Sequence, residues 1–289
     1  MSEDPTYVLV PGMASTAAMW LPVVQELALR GLGSFPVELP GHGFDAQFPD
    51  GYQCPQDDAQ LLSSRSPIAS LSLDDYADHV LAIVRRVVAE QRRVILVGHS
   101  LGGNVVTRVA NAVPELLSAL VYVCAYCCVE SPNVLAYAPR NPDPYSPLAR
   151  ARQLVWIGDP RQTGASRTNP RSSDADVLDA QHALMMADID RARVPAVLSY
   201  ALQPDESLRA VAGEAQADSA AWGRVPRTYI RTTLDQVIPI EVQDRMIAEA
   251  DALTPDNTFA VRDVEASHFV LFSRPEQIAD LLATVGQPA

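Results

Sequence analysis

Lysine is absent from this chain of 289 residues, so all 22 basic side chains are arginines. With 35 acidic residues the formal net charge is −13. An acidic surface repels phosphate backbones and anionic lipid head groups, so the sequence predicts neither a nucleic-acid partner nor a membrane partner. The lack of lysine, beside many Ala, Arg and Pro, is typical of the codon bias of a GC-rich genome.

Long hydrophobic runs are also missing, since none approaches the roughly 18 residues that span a bilayer. The start of the chain, Met1–Pro5, is polar and acidic and has neither region of a secretory signal. Cysteines are too few for a disulfide framework: Cys54, Cys124, Cys127 and Cys128. No second Cys/His cluster follows them, and a structural zinc site needs four ligands. We therefore expect a cytoplasmic protein with free thiols and no metal.

Apolar residues make up 48% of the chain, which excludes a disordered protein. Short β-rich runs alternate with amphipathic helical patterns, one of which begins at Ser72 with Asp75 in capping position. This alternation predicts an α/β fold with a doubly wound, mostly parallel sheet. The predicted strands are Tyr7–Val10, Phe35–Leu39, Val94–Val97, Leu120–Cys124, Thr228–Ile230 and Phe259–Val261.

The pattern changes between Val129 and Trp222, where prolines and polar loops alternate with helical pieces. We predict a helical cap over residues 129–222, inserted between two strands of an α/β core formed by residues 1–128 and 223–289. A second departure is the polar, proline-containing stretch Phe44–Leu71, which shows no clear period and is predicted to be a long loop.

The pentapeptide Gly98–Gly102 matches G-x-S-x-G, the sharp turn that joins a buried strand to a helix and exposes a nucleophilic serine. The aliphatic run Val94–Val97 precedes it, and a helical pattern follows. A side chain at either outer glycine would collide with neighbouring backbone in such a turn. A glycine-rich turn with an incidental serine is the alternative, but the strand and helix on either side favour Ser100 as a nucleophile.

A serine hydroxyl becomes a good nucleophile only when an oriented base takes its proton. In the expected chain order, an acid and then a histidine follow the serine. His182 falls in a helical pattern of the cap, whereas His268 follows a predicted strand and is the predicted base. Asp235 also follows a predicted strand and is the predicted acid. Its rivals are Asp263, only five residues before the base, and Asp244 in a helical pattern.

The oxyanion of acyl transfer needs two backbone N–H donors. We expect one from Leu101, at a helix N-terminus, and one from Met13, where Gly12 lets the backbone approach closely. The cap residues Trp156 and Tyr137 are candidates for pocket lining or for the cap core. Substrate contacts are expected from four residues: Gly12, Tyr126, Met185 and Phe269.

Together these residues resemble the α/β-hydrolase superfamily, and more narrowly its branch of methylesterases and hydroxynitrile lyases with small bacterial esterase-like relatives. The resemblance covers the core but not the cap. It implies that Ser100, Asp235 and His268 form a catalytic triad that needs no cofactor. The motifs that carry it are Pro11-Gly12-Met13, Leu39-Pro40-Gly41-His42-Gly43, Val97–Gly103, Asp235 with Val237-Ile238-Pro239, and Ala266-Ser267-His268.

Two positions depart from that branch. Relatives usually have histidine where this chain has Pro11, and its hydroxynitrile lyases have lysine where this chain has Phe269. Because that lysine handles the cyanide charge, we do not expect cyanohydrin cleavage. We expect instead a serine hydrolase that cleaves a carboxylic ester of a medium-sized, largely apolar small molecule through an acyl-serine. By association with GC-rich, actinobacterium-like genomes, the substrate is expected in secondary metabolism.

Two alternatives stay open. An acyltransferase, thioesterase or cyclase would use the same acyl-serine with another acceptor. A non-catalytic, ligand-binding receptor on this fold would usually have a broken triad, whereas all three predicted members are present here. The sequence fixes neither the substrate nor the oligomeric state.

Overall fold

The structure is a computed structural model that describes residues 5–90, 92–137 and 146–285. Residues 1–4, on which the export prediction rests, and residues 138–145 of the predicted cap lie outside this description. The strands are β1 Thr6–Val10, β2 Gly33–Pro36, β3 Val94–His99, β4 Ala119–Val123, β5 Ala165–Arg167, β6 Asp205–Ser207, β7 Arg227–Thr232 and β8 Ala260–Val264.

Among the described residues, one sheet has the order β2-β1-β3-β4-β7-β8, and all its neighbouring strands are parallel. The α-helices are α1 Leu21–Leu29, α2 Asp58–Ser63, α3 Leu73–Ala89, α4 Gly102–Ala112, α5 Pro147–Val155, α6 Pro160–Thr163, α7 Ala175–Met185, α8 Val194–Ala201, α9 Leu208–Val211, α10 Ile240–Leu253, α11 Val270–Ser273 and α12 Pro275–Thr284. The predicted α/β class with a parallel sheet is confirmed. No helix in the described ranges is long and apolar enough to cross a membrane.

Both faces of the central strands β1, β3 and β4 are buried, which explains why these strands read as continuous apolar runs. Successive side chains of a strand point to opposite faces. In β1, Leu9 packs into the core cluster that contains residues of α1 and α12. Its neighbours Val8 and Val10 pack into the cluster that contains residues of α3 and α4. The helices therefore cover the sheet from both sides.

The predicted start of α3 is confirmed. The hydroxyl oxygen of Ser72 accepts from the N–H of Asp75, whose carboxylate accepts from the N–H of Ser72 at 2.8 Å. The prediction that 44–71 has no regular element is wrong at α2. Asp57 accepts from the N–H of Gln60 and caps a helix of six residues, which is too short to show a period.

The segment between β4 and β7 contains α5 to α9 and the antiparallel pair β5–β6. This pair could not be predicted, because a strand of three residues is too short to show an alternation of apolar and polar residues. A buried ion pair joins the two strands, since the guanidinium of Arg167 donates to both carboxylate oxygens of Asp205 at 2.5 and 2.8 Å. The same guanidinium donates to the carbonyl of Ser64 at 3.0 Å, which ties this segment to the chain that follows α2.

Candidate active site

The candidate residues meet at the carboxyl edge of the sheet. Val10 at the end of β1 pairs with Gly98 in β3, and Thr232 at the end of β7 pairs with Val264 in β8. Parallel strands end at the same edge, which is where open α/β sheets bind ligands. The loops that leave β1, β3, β7 and β8 therefore converge, and each carries part of the predicted site.

The turn after β3 is as sharp as the motif predicts. Ser100 has a φ of +52°, a left-handed conformation that is unusual for a residue with a side chain. A Cβ atom at Gly102 would lie 2.5 Å from the carbonyl oxygen of Pro11, and one at Gly98 would lie 2.8 Å from the backbone of Gly102. Only glycine fits at these two positions, and the backbone strain at Ser100 is typical of functional sites.

A chain of two hydrogen bonds joins the predicted nucleophile, base and acid. The hydroxyl of Ser100 lies 2.9 Å from Nε2 of His268, and Nδ1 of His268 lies 2.7 Å from Oδ2 of Asp235. All three side chains are buried. The other oxygen of Asp235 accepts from the N–H groups of Val237 and Ile238 at 2.7 and 2.9 Å. These hydrogen bonds fix the orientation of the carboxylate, which can in turn orient the imidazole.

The rival acids are bound elsewhere. Asp263 and Asp244 both pair with Arg231, at 2.7 and 2.5 Å, and both are about half exposed. Hydrogen bonds from Arg231 lower the pKa of Asp263. His182 bonds the carbonyl of Ile189 at 2.9 Å. None of these three candidates contacts the Ser100–His268 pair, so the geometry favours Asp235 and His268.

The two predicted oxyanion donors, Met13 and Leu101, line a cavity together with Ser100. Within the described ranges, no acceptor bonds the N–H of Met13 or of Leu101. Leu101 immediately precedes α4, whose N-terminus carries partial positive charge. The next residue in the first loop, Ala14, has a φ of +52° and so turns the backbone sharply at this point. Both predicted donors are therefore available to a developing negative charge.

The buried carboxylate of Glu206, which was not predicted from the sequence, holds this loop. The N–H of Ala14 donates to Oε2 of Glu206 at 2.9 Å, and its carbonyl accepts from the N–H of Gln203 at 2.9 Å. The hydroxyl of Tyr76 donates to Oε1 of Glu206 at 2.7 Å, and Nε2 of His42 lies 3.4 Å from Oε2. No local motif marks Glu206, which is 192 residues from Ala14 in the chain.

The Glu206–His42 contact is an ion pair shielded from water. Burial is the largest effect and would lower the pKa of His42, but the charge and hydrogen bond of Glu206, the carbonyl of Pro40 and the charge of Glu38 together raise that pKa above 6.5. Burial would raise the pKa of Glu206, yet the charge of His42 and the hydrogen bonds from Ala14 and Tyr76 hold it below 4.5. Each group therefore favours the charged form of the other.

His99 holds the backbone of His268, the predicted base. Its Nε2–H donates to the carbonyl of His268 at 3.0 Å. Burial, and then the nearby charge of His268, lower the pKa of His99 to about 3, so the ring stays neutral. Donor atoms of these two histidines and Cys124 lie within 4.8 Å of one another. Both ring nitrogens of His268 are already bonded to Asp235 and Ser100, so this group is better explained by the triad than by a metal.

Two cavities of unequal size meet at Ser100. The smaller has a volume of about 50 Å³ and the larger about 200 Å³. Met13, Ser100, Trp156 and Val237 line both. A groove of about 620 Å³ also exists, but it lies at the amino ends of β1 and β2, far from the converging loops.

Every residue predicted to contact substrate lines one of these two cavities. Gly12, Met185 and Phe269 line the smaller cavity together with His268. Tyr126 lines the larger cavity, as do Tyr137 and a residue that sequence analysis did not single out, Arg152. Nothing in the local sequence distinguishes Arg152 from the other arginines of the chain, so its position could not be predicted.

Comparisons with known proteins agree with this geometry. A model described as the alpha/beta hydrolase family matches residues 7–281. Methylesterase 7 of Arabidopsis thaliana is 24% identical, over 96% of this chain and 95% of the relative. A pyrethroid hydrolase of Sphingobium wenxiniae is 25% identical, over 96% of this chain and 85% of the relative.

Solved structures share the fold along nearly the whole chain. A pyrethroid hydrolase from Sphingobium faniae superposes with a TM-score of 0.71 at 22% identity, covering 98% of this chain and 97% of that one. Polyneuridine aldehyde esterase gives a TM-score of 0.70 at 18% identity, covering 98% of this chain and all of that one, 100%. The resemblance inferred from the motifs is confirmed: the chain belongs to the alpha/beta hydrolase family and is a carboxylic ester hydrolase of that fold.

Proposed function

We propose that the enzyme hydrolyses esters of a small alcohol with a medium-sized, largely apolar acid, through an acyl intermediate on Ser100. One observation carries this proposal. The hydrogen-bonded chain of Ser100, His268 and Asp235 lies where a cavity of about 50 Å³ meets one of about 200 Å³.

The reaction follows from the contacts of the triad. The hydroxyl of Ser100 attacks the ester carbonyl while Nε2 of His268 takes its proton. The carbonyl oxygen becomes an anion, which the N–H groups of Met13 and Leu101 stabilise. His268 then gives the proton to the departing alcohol. Water, activated by the same ring, attacks the acyl-serine and releases the acid, with no cofactor in either half-reaction.

The side on which the alcohol binds follows from the position of the base. The leaving oxygen must face Nε2 of His268 to receive its proton, and His268 lines the smaller cavity but not the larger. We therefore assign the alcohol to the smaller cavity and the acyl group to the larger. A water-sized group occupies roughly 30 Å³, so the smaller cavity holds about two such groups and the larger about seven.

The names of the relatives support a small alcohol. Several are methylesterases, which by name act on methyl esters. The pyrethroid hydrolase by name acts on pyrethroids, and it supports ester cleavage without fixing the alcohol. Both cavities have largely apolar walls, which favours an acyl group that is mainly hydrocarbon.

Two isomeric esters test the proposal. Methyl hexanoate places its long chain in the acyl half, and pentyl acetate places it in the alcohol half. The alcohol group of pentyl acetate has four methylenes that the smaller cavity cannot bury, and each buried methylene contributes about 0.8 kcal/mol. We therefore expect kcat/KM to be about 10²-fold higher for methyl hexanoate. Ser100→Ala is the control and should also lose labelling by a fluorophosphonate. Equal rates for the two esters, or a preference for pentyl acetate, would show that the two halves are assigned wrongly.

A further inference from the structure

The larger cavity contains one charged side chain in an apolar wall. Of its described lining residues, Arg152 alone carries a formal charge, and the smaller cavity is lined by no Asp, Glu or Arg. A hydrocarbon acyl group does not require a cation. Arg152 is half-buried, and partial removal of a guanidinium from water is unfavourable unless a partner compensates it, so this position calls for an explanation.

No carboxylate in the described ranges pairs with Arg152. Its Nη2 donates to the carbonyl of Gln236 at 2.6 Å and contacts that of Val237 at 3.4 Å. The guanidinium lies 5.7 Å from the ring of Trp156. Burial lowers the pKa of Arg152, although a guanidinium stays charged in proteins. Since the fork has five N–H groups, donors remain for a ligand.

A second polar group faces the same cavity. Tyr126 lines it, and no acceptor in the described ranges bonds the hydroxyl of Tyr126. Its backbone N–H donates to the carbonyl of Ser100 at 3.0 Å, which fixes the residue beside the nucleophile. Burial, and then the negative charge of Asp235, raise the pKa of Tyr126 to about 12, while the charge of Arg152 opposes that rise. The phenol is therefore a neutral donor in the cavity that Arg152 also lines.

We propose that Arg152 and Tyr126 form a subsite for a carboxylate at the far end of the acyl group. The preferred substrates are then half-esters of dicarboxylic acids, with the small alcohol at Ser100 and the free carboxylate on the guanidinium. A carboxylate matches the planar fork and accepts from the phenol as well. This inference rests on the proposed function, because it uses the assignment of the acyl group to the larger cavity.

The competing explanation is that Arg152 only supports the acid loop. Its hydrogen bond to Gln236 lies next to Asp235, so a substitution could disturb the triad. Such damage would lower turnover of every ester alike. The test must therefore compare two esters that differ only in the carboxylate.

Monomethyl adipate and methyl 6-methylheptanoate are such a pair, since an isopropyl group replaces the carboxylate at the same chain length. Arg152→Gln should lower the ratio of their kcat/KM values, charged over neutral, by about 10- to 150-fold, the usual strength of hydrogen bonds to a charged group. Tyr126→Phe should lower it by less. Arg150→Gln removes the same charge from an exposed position of the same helix and should leave the ratio unchanged.

An unchanged ratio in Arg152→Gln, with both rates reduced alike, would assign the arginine to the acid loop and overturn the subsite. A second measurement requires no turnover. Monomethyl adipate should bind Ser100→Ala at least tenfold more tightly than it binds the Ser100→Ala, Arg152→Gln double variant, by calorimetry. Equal affinities would overturn the subsite even if the enzyme hydrolyses other esters. Tight, Arg152-dependent binding without hydrolysis by the wild-type enzyme would instead overturn the proposed function and keep the subsite.

Discussion

Removing the carboxylate of Glu206 should impair turnover more than substrate binding. Glu206 is fully buried and accepts from the N–H of Ala14 at 2.9 Å, from the hydroxyl of Tyr76 at 2.7 Å and from the N–H of Ser207 at 3.0 Å. Ala14 has a left-handed conformation, with a φ of +52°, and it directly follows Met13, the proposed oxyanion donor. The carboxylate therefore positions a group that acts in the transition state.

The expected magnitudes follow from these contacts. In Glu206→Ala the N–H of Ala14 loses its acceptor, which costs about 1–3 kcal/mol. The ring of His42 also loses its partner. Because the ring can release its proton rather than stay buried as a cation, this loss is at most that of breaking a buried ion pair, about 3–5 kcal/mol. If the loop relaxes and Met13 turns away, kcat should fall by about 10²–10³-fold, the usual effect of one oxyanion donor. Glu206→Gln keeps an acceptor oxygen for Ala14, so its loss in kcat should be smaller.

The stability difference between wild type and Glu206→Gln should depend on pH. The pKa of His42 is raised, so its contribution is complete below about pH 6.5 and disappears as the pH rises through the folded value. The pKa of Glu206 is lowered, so its contribution is present above about pH 4.5 and disappears as the pH falls through the folded value. The difference in unfolding free energy should be largest between about pH 5 and 6.5 and smaller at pH 9.

Urea unfolding at pH 6 and pH 9, with kcat and KM for methyl hexanoate, measures these effects. Glu115→Gln, at an exposed position, is the control and should change neither quantity. A KM increase in Glu206→Gln at unchanged kcat would show that Glu206 shapes the binding cavity rather than the oxyanion loop. A stability difference that grows with pH would contradict the ion pair with His42.

Two further variants test the site from other directions. Asp235→Asn should reduce kcat by about 10⁴-fold, because the imidazole is then held in the wrong tautomer. Asp263→Asn should stay within a few-fold of wild type. Comparable losses in the two variants would show that the acid is assigned wrongly. Trp156→Ala should join the two cavities that Trp156 lines, so that the rate for pentyl acetate rises relative to that for methyl hexanoate. An unchanged ratio of the two rates would mean that Trp156 does not limit the size of the alcohol group.

The sheet and the nucleophile turn could be predicted because short stretches of sequence determine them. Val94–Val97 is apolar throughout since both of its faces are buried. Gly98 is required by its contact with Gly102 in the same turn, and Gly102 by the carbonyl oxygen of Pro11, which the pairing of β1 with β3 brings beside the turn. Asp235 and His268 could be placed because each follows a strand of a parallel sheet. In these cases the residues that matter are neighbours along the chain, or the parallel sheet brings them together at the ends of its strands.

Glu206 and Arg152 could not be predicted for the opposite reason. Glu206 lies in the three-residue strand β6, whose partner β5 is about 40 residues away in the chain. The groups that donate hydrogen bonds to Glu206 come from the first loop and from α3. Arg152 lies on a short helix whose direction is set by packing. For both residues the relevant neighbours depend on how the segment between β4 and β7 folds, and no periodicity in that segment reveals it.

That segment contacts every loop that carries the reaction. Its Glu206 accepts from Ala14 of the first loop, its Arg152 donates to the carbonyl of Gln236 beside the acid, and its Met185 accepts at 2.9 Å from the N–H that follows the base. Loop backbone beyond the ends of strands has no ladder partners, so its polar groups must be satisfied elsewhere. Here they are satisfied by residues of the inserted segment. The parallel strands bring the loops to one edge of the sheet, and the segment between β4 and β7 holds their conformations, so the geometry of the proposed site depends on both.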